Sequence, residues 1–291
     1  MAQAHRPRVA RGEILDPGYR IDDDLTVVGH LGGSRKVDIY ICRSRKLKDI
    51  VACKVLRPEF CLDFSALEAV LEEGDILAHI RHPNIIEGYG VELEEHPRIL
   101  MEYVQGQTLK DAFFGGNFEA FDLDDAVAGA LQLADALTYI HTEGFLHLDV
   151  KSSNVMYYED HATLIDFSVA ERFSPDKPLR DNAGTTESMA PEQTYRREVG
   201  YATDVFGLGV VFYQLLTGGE LPYAKVEDQP KQSELGPDVW LDYDTPPKMP
   251  SEYPPGSPVA LDAVALKAIE PDIAARYQTP AEFKSALEAA I

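Results

Sequence analysis

His147-Leu-Asp-Val-Lys-Ser-Ser-Asn154, followed by Leu164-Ile-Asp-Phe-Ser168, is the stretch on which the fold turns. Asp149, Lys151 and Asn154 share one short loop between a helical pattern and a β-like run. A carboxylate held there can accept a proton from a hydroxyl. A lysine can neutralise phosphate charge, and an asparagine oxygen can ligate a hard cation. Asp166 follows Asn154 by twelve residues, at the end of a second β-like run, where its carboxylate can hold Mg²⁺. Each piece is weak alone, and their order and spacing carry the inference.

N-terminal to this stretch the pattern is mostly strands. Leu25 to Val28, Val37 to Cys42 and Ile50 to Leu56 are short β-rich runs. Phe64 to Ile80 switches to helical spacing, with Leu67, Val70, Leu71, Leu77 and Ile80 on one side. Two apolar runs follow, Ile85 to Val91 and Arg98 to Val104. C-terminal to Gly106 the signal is mainly helical: Leu123 to His141, Val205 to Thr217 closed by Gly218-Gly219, Leu261 to Ile269, and Pro280 to Ala290. Residues 228 to 258, rich in Pro and polar groups, read as a long surface excursion. The first 20 residues carry Arg6, Arg8, Arg11 and Arg20 without periodicity and read as a basic mobile tail. A strand-rich lobe followed by a helical one suggests a cleft at their boundary, with the polar motifs near it.

Composition narrows the classes. Over 291 residues, 45% are hydrophobic and 26% charged, enough for a buried core. Lys and Arg number 27 against 49 Asp and Glu, a formal charge of -22, which disfavours nucleic-acid binding. Cys42, Cys53 and Cys61 are too few for a disulfide framework and form no metal pair. No apolar run is long enough for a membrane span, and the N-terminus lacks a secretory core segment. The expectation is a reduced, cytoplasmic protein with no membrane segment in this chain.

The two motifs together resemble the catalytic loop and metal-binding signature of the protein kinase family, most closely the eukaryotic-like bacterial Ser/Thr kinases. The resemblance runs from about Leu25 to Leu287. Val51-Ala-Cys-Lys54 looks like the third-strand lysine motif, with Glu73 as the glutamate that orients the lysine, ahead of His82-Pro-Asn-Ile85. Leu100-Met-Glu-Tyr-Val104 resembles the hinge, with Met101 as gatekeeper. Gly184-Thr185 and Met189-Ala-Pro-Glu192 resemble the end of an activation segment. Asp204-Val-Phe-Gly-Leu-Gly209 resembles the buried Asp and helix that anchor the catalytic loop. Arg276 stands where the family pairs an Arg with the Glu of Ala-Pro-Glu, here Glu192.

The resemblance implies an α+β, two-lobed kinase fold: a small antiparallel-sheet N-lobe with one main helix over 21–104, and a larger helical C-lobe over 105–291. It implies Asp149 and Lys151 as catalytic residues and Asn154 and Asp166 as ligands of Mg²⁺, for which Mn²⁺ could substitute. ATP would be held by Gly32, Ile39, Ala52, Lys54, Glu73, Met101, Glu102, Val104 and Met156. Thr185 at its position favours Ser/Thr acceptors over Tyr. The chain ends just past the last helix the family requires, which fits a soluble kinase or a domain cut from a longer chain.

Departures from the family pattern are informative. Gly32-Gly-Ser-Arg-Lys-Val-Asp-Ile39 aligns with G-x-G-x-x-G-x-V but keeps only its first glycine, so looser backbone approach to the phosphates is expected. Arg35 and Lys36 at the tip could supply side-chain charge instead, or could simply be solvated. Leu148 replaces the Arg of His-Arg-Asp, and Ser168 the Gly of Asp-Phe-Gly. The position that often carries the phosphorylated Thr is Asp181. Both halves of a phosphorylation switch are therefore missing, which implies a kinase active without activation-loop phosphorylation. The rivals are a pseudokinase serving as a nucleotide-binding or scaffolding module, and a small-molecule phosphotransferase, against which Lys151 and Glu192 speak.

Other features have plainer readings. Asp204 is expected to be scaffold, His147 a packed residue, and Cys53 a core thiol. Gly207-x-Gly209 lies in a helical run and is no dinucleotide motif. Between Lys110 and Lys151 there is no Lys or Arg but eight acids, read as a solvated helix face or as a preference for basic protein substrates. Oligomeric state stays open.

Overall fold

A computed structural model of the chain describes residues 13–93, 96–115, 122–174, 188–194, 199–226, 240–254 and 256–291. The chain divides into two compact units, one of Met1–Arg81 with Ile86–Val104, the other of His82–Ile85 with Gln105–Ile291.

In the first unit the β-branched runs form β1 (Leu25–Gly33), β2 (Val37–Ser44), β3 (Asp49–Leu56), β4 (Gly88–Glu92) and β5 (Arg98–Glu102). They make one antiparallel sheet in the order β1-β2-β3-β5-β4, with the helix α1 (Phe64–His79) beside it. Asp63 caps α1 by accepting from the Ala66 N–H at 3.1 Å. Alternation sends Tyr40, Cys42, Val51, Cys53 and Val55 to one sheet face, where they form a core with Leu15, Ile21, Leu25 and Val27. Cys53 is fully buried there, as a core thiol should be.

β1 outlasts its sequence signal, Leu25 to Val28, because register shifts between Val27 and Gly29 and between His30 and Gly32 break its alternation. The tail was expected to extend to residue 20. Instead Leu15 is buried, its N–H donates to the Tyr40 hydroxyl at 3.1 Å, the Gly18 N–H donates to the Val27 carbonyl, and the Val27 N–H donates to the Tyr19 carbonyl. Arg98, at the start of β5, pairs with Asp22. The packed chain therefore starts no later than Leu15, since apolar sheet surface needs a cover that periodicity alone does not reveal. Residues 1–12 lie outside the described residues.

The second unit holds β6 (Gln107–Thr108), α2 (Leu109–Phe114), α3 (Leu123–Thr142), β7 (Phe145–Leu146), β8 (Val155–Tyr158), β9 (His161–Leu164), β10 (Glu171–Arg172), α4 (Pro191–Thr194) and α5 (Tyr201–Thr217). After it come β11 (Lys225–Val226), β12 (Trp240–Leu241), α6 (Val259–Ala268) and α7 (Pro280–Glu288). Thr108, Asp122 and Thr279 cap α2, α3 and α7, and Gly218 ends α5 at φ 75°. Two expectations change. Ile85 is no strand residue of the sheet: it bridges Leu164 in the second unit, where its side chain is buried. The described part of the excursion, 240–254, is not simply surface. Leu241, Tyr243 and Tyr253 pack with Phe206, Val210 and Tyr213, and the Tyr243 hydroxyl donates to the Met189 carbonyl at 2.7 Å. Aromatic side chains there bury their rings while their hydroxyls find carbonyls.

Candidate active site

The loop after β7 is built around Asp204, buried in the first turn of α5. Its carboxylate accepts from the His147 N–H at 2.9 Å and the Leu148 N–H at 2.7 Å, and His141 Nε2 lies 2.7 Å away. Burial alone would raise the Asp204 pKa, but the His141 contact and these amides hold it below the usual carboxylate range. Asp204 is thus the scaffold expected of it. Leu148 takes φ 63°, a costly conformation for a branched side chain. Its N–H is held by Asp204, and its carbonyl accepts from Gln193 Nε2 at 2.8 Å, so the strained residue is clamped from both sides. Its side chain is buried, which an Arg could not be without a partner.

That clamp aims Asp149. Asp149 Oδ2 accepts from Lys151 Nζ at 2.6 Å and from Asn154 Nδ2 at 3.1 Å, while Asn154 Nδ2 also donates to the Asp149 carbonyl at 3.0 Å. The other oxygen, Oδ1, is buried and has no hydrogen-bond partner among the described residues. A buried acceptor left open is costly unless a ligand completes it. Asn154 turns its amide N–H groups inward, leaving Oδ1 outside these bonds as a hard donor. Asp166, half-buried after β9, accepts the Ser168 N–H at 3.2 Å on Oδ1. An amide oxygen and a carboxylate suit Mg²⁺. His147 is wholly buried, packs edge-on against Phe167 at 4.9 Å, and burial lowers its pKa.

In the first unit, Lys54 and Glu73 are both buried, with Lys54 Nζ 2.8 Å from each carboxylate oxygen. Register sets Gly32 opposite Ile39, Ile39 opposite Lys54, and Ala52 opposite Met101. Paired residues point to the same side, so these five residues share the face that carries the Lys54–Glu73 pair. Glu102 pairs with Val51 and accepts the Glu87 N–H at 3.3 Å; Val104 follows the end of β5. Met156 lies in the second unit, half-buried on β8 between Thr108 and Thr163.

The loop that keeps only the first glycine of the family pattern is a tight turn. Ser34 N–H donates to the Val37 carbonyl at 2.8 Å, and Lys36 N–H to Ser34 Oγ at 3.3 Å. A Cβ on Gly33 would fall 2.3 Å from the Val37 carbonyl oxygen, so this glycine is needed for close approach. On the sheet's other face Asp38 is buried, 3.0 Å from Arg57 Nη2 and 3.1 Å from His30 Nε2. The His30–Asp38–Arg57 clamp, His141 and Gln193 had no signal in the sequence, because each works through a partner on another strand or helix. The Glu192–Arg276 pair is present and fully buried, with both contacts at 2.7 Å. Gly184, Thr185 and Asp181 lie outside the described residues.

The family model for the protein kinase domain matches residues 25–266. The chain belongs to the protein kinase family. The chain is 33% identical to the serine/threonine-protein kinase PknB of Mycobacterium leprae, over 88% of this chain and 41% of that protein. It is 29% identical to a probable serine/threonine-protein kinase of Clostridium perfringens, over 95% of this chain and 39% of that one. The chain thus spans about two fifths of the length of these curated relatives. Among solved structures, the PknI kinase domain of Mycobacterium tuberculosis superposes with a TM-score of 0.69 at 25% identity, covering 96% of this chain and all of that one. No helix among the described residues is long and apolar enough to cross a membrane.

Proposed function

We propose that this kinase domain transfers the γ-phosphoryl group of ATP to Ser or Thr hydroxyls of protein substrates. The observation that carries the reading is Asp149, with one carboxylate oxygen fixed by Lys151 and Asn154 and the other buried and open. That open oxygen is suited to orient a hydroxyl and take its proton. Lys151 stabilises charge on the transferring group, and Lys54, oriented by Glu73, holds the nucleotide phosphates. Asn154 and Asp166 would hold Mg²⁺, which neutralises phosphate charge when bound. Gly32, Ile39, Ala52, Met101, Glu102, Val104 and Met156 contact the rest of the nucleotide. The acids of α2 and α3, Asp111, Asp124 and Asp125, support basic protein substrates. We also infer a cytoplasmic setting from the free thiols of Cys42, Cys53 and Cys61.

Activity without activation-loop phosphorylation is part of the same reading. Leu148 is apolar and buried where the family keeps the Arg that binds the loop phosphate. Phosphatase treatment then leaves the rate unchanged.

One observation favours a second reading, a pseudokinase. The turn at Ser34–Lys36 spends the Ser34 and Lys36 amides internally, so fewer donors remain for phosphate. Transfer of radiolabelled γ-phosphate to basic and acidic proteins, with kanamycin as a small-molecule control, separates the readings. Asp149→Asn and Asp166→Asn should each lower transfer at least a hundredfold while the fold persists. Wild-type protein that binds nucleotide yet transfers nothing would establish the pseudokinase.

A further inference from the structure

Glu73 meets Lys54 only if α1 is held at one depth over the sheet, and the residue after Glu73 is Gly74. A glycine inside a helix is less favourable than alanine, so its presence in the middle of α1 calls for a reason. A Cβ built on Gly74 would lie 1.9 Å from Val91 Cγ2 on β4 and 3.3 Å from Val91 Cβ. Rotating Val91 relieves the first contact and leaves the second tight. One turn further on, the helix meets a second glycine from the opposite side. A Cβ on Gly88 of β4 would lie 2.7 Å from Leu77 Cβ and 3.1 Å from the Leu77 carbonyl. Helix and strand therefore approach closer than two ordinary side chains allow, at both ends of one seam. The seam begins next to Glu73, whose carboxylate is 2.8 Å from Lys54 Nζ with both side chains buried.

We propose that Gly74, seated on Val91, is a positioning residue for nucleotide binding: it sets the depth of α1 and thereby keeps Glu73 on Lys54. The inference rests on the kinase reading for its consequence, since Lys54 matters through ATP. A methyl group at position 74 lifts α1 from β4, and Glu73, the adjacent residue, moves with it. Lys54 then loses the carboxylate that orients it. Removing bulk from the partner restores the seat.

The test compares wild type, Gly74→Ala, and Gly74→Ala with Val91→Ala. The first readout needs no activity: the rate at which Lys54 reacts with an amine-reactive ester, followed by peptide mass. The second is the KM for ATP against kcat. Gly74→Ala should label Lys54 at least tenfold faster and raise KM for ATP at least fivefold with kcat changed less than twofold, and the double variant should return both towards wild type. A purely structural glycine predicts the reverse, because alanine favours the helix: slower unfolding and unchanged labelling. Labelling within twofold of wild type in Gly74→Ala overturns the proposal. If Gly74→Ala does not fold, Val91→Ile crowds the same seat from the strand side, and unchanged Lys54 labelling there overturns it equally. Failure of the kinase reading looks different: wild type itself would show no ATP turnover, while the labelling contrast would remain.

Discussion

Asp204→Asn isolates the bond set on which the catalytic loop depends. The carboxylate serves three donors, the His147 and Leu148 amides at 2.9 and 2.7 Å and His141 Nε2 at 2.7 Å, two of them on Oδ2. An asparagine keeps one acceptor oxygen and turns an NH₂ group towards the remaining donor or donors. At least one buried N–H is then unpaired, costing about 1–3 kcal/mol, and the surviving bonds lose charge assistance worth about 1 kcal/mol each. Leu148 is also released from one side of its clamp at φ 63°, a conformation that costs about 1–2 kcal/mol to maintain. The sum is about 3–5 kcal/mol, or a fall in melting temperature of about 10 °C for a domain of this size. Because Leu148 precedes Asp149, phosphoryl transfer should fall further than stability alone explains, by at least tenfold at a temperature where the variant is fully folded. Thermal denaturation and an ATP-dependent transfer assay read the two effects. A melting temperature within 2 °C of wild type, with full transfer, would refute the idea that Asp204 holds this loop.

Two further outcomes follow from buried charge. Arg276→Met strands the Glu192 carboxylate, which is almost wholly buried, and should cost about 3–5 kcal/mol in urea unfolding, whereas Arg276→Met with Glu192→Leu should recover most of that loss; equal losses in both variants would mean the pair is not the source. Burial lowers the His147 pKa below 6.5, so the unfolded chain takes up this proton first. That contribution is whole above pH 6.5 and is lost as pH falls below it, at up to about 1.4 kcal/mol per pH unit. The low pKa of Asp204 adds a second loss only below pH 3.8. Unfolding free energies of wild type and His147→Gln at pH 7.5, 6 and 5 should converge on acidification; parallel profiles would exclude His147 as a source.

Much of this protein was legible in its sequence because the deciding signals are local. Asp149, Lys151 and Asn154 meet because a loop of six residues brings them together, and the structure bonds them to one another. The β-rich run around Lys54 and helical spacing around Glu73 likewise announced a sheet and a helix. A lysine in an apolar strand demanded a partner, and Glu73 is that partner at 2.8 Å. Tertiary structure alone decided features that rest on residues distant in sequence or on space between elements. Leu148 lies in the left-handed region because Asp204 and Gln193 hold it from α5 and α4. The segment from Leu15 to Ile21 packs because the sheet's outer face needs a cover. The turn at Ser34–Lys36 is tight because Gly33 meets the Val37 carbonyl, a close approach that the count of missing glycines does not reveal. Gly74 reads as an ordinary weak point in a helix until Val91 is seen against it. Periodicity and motif spacing report which face a residue takes and which chemistry it carries. How closely two faces approach depends on both partners at once, and one-dimensional order does not encode that distance.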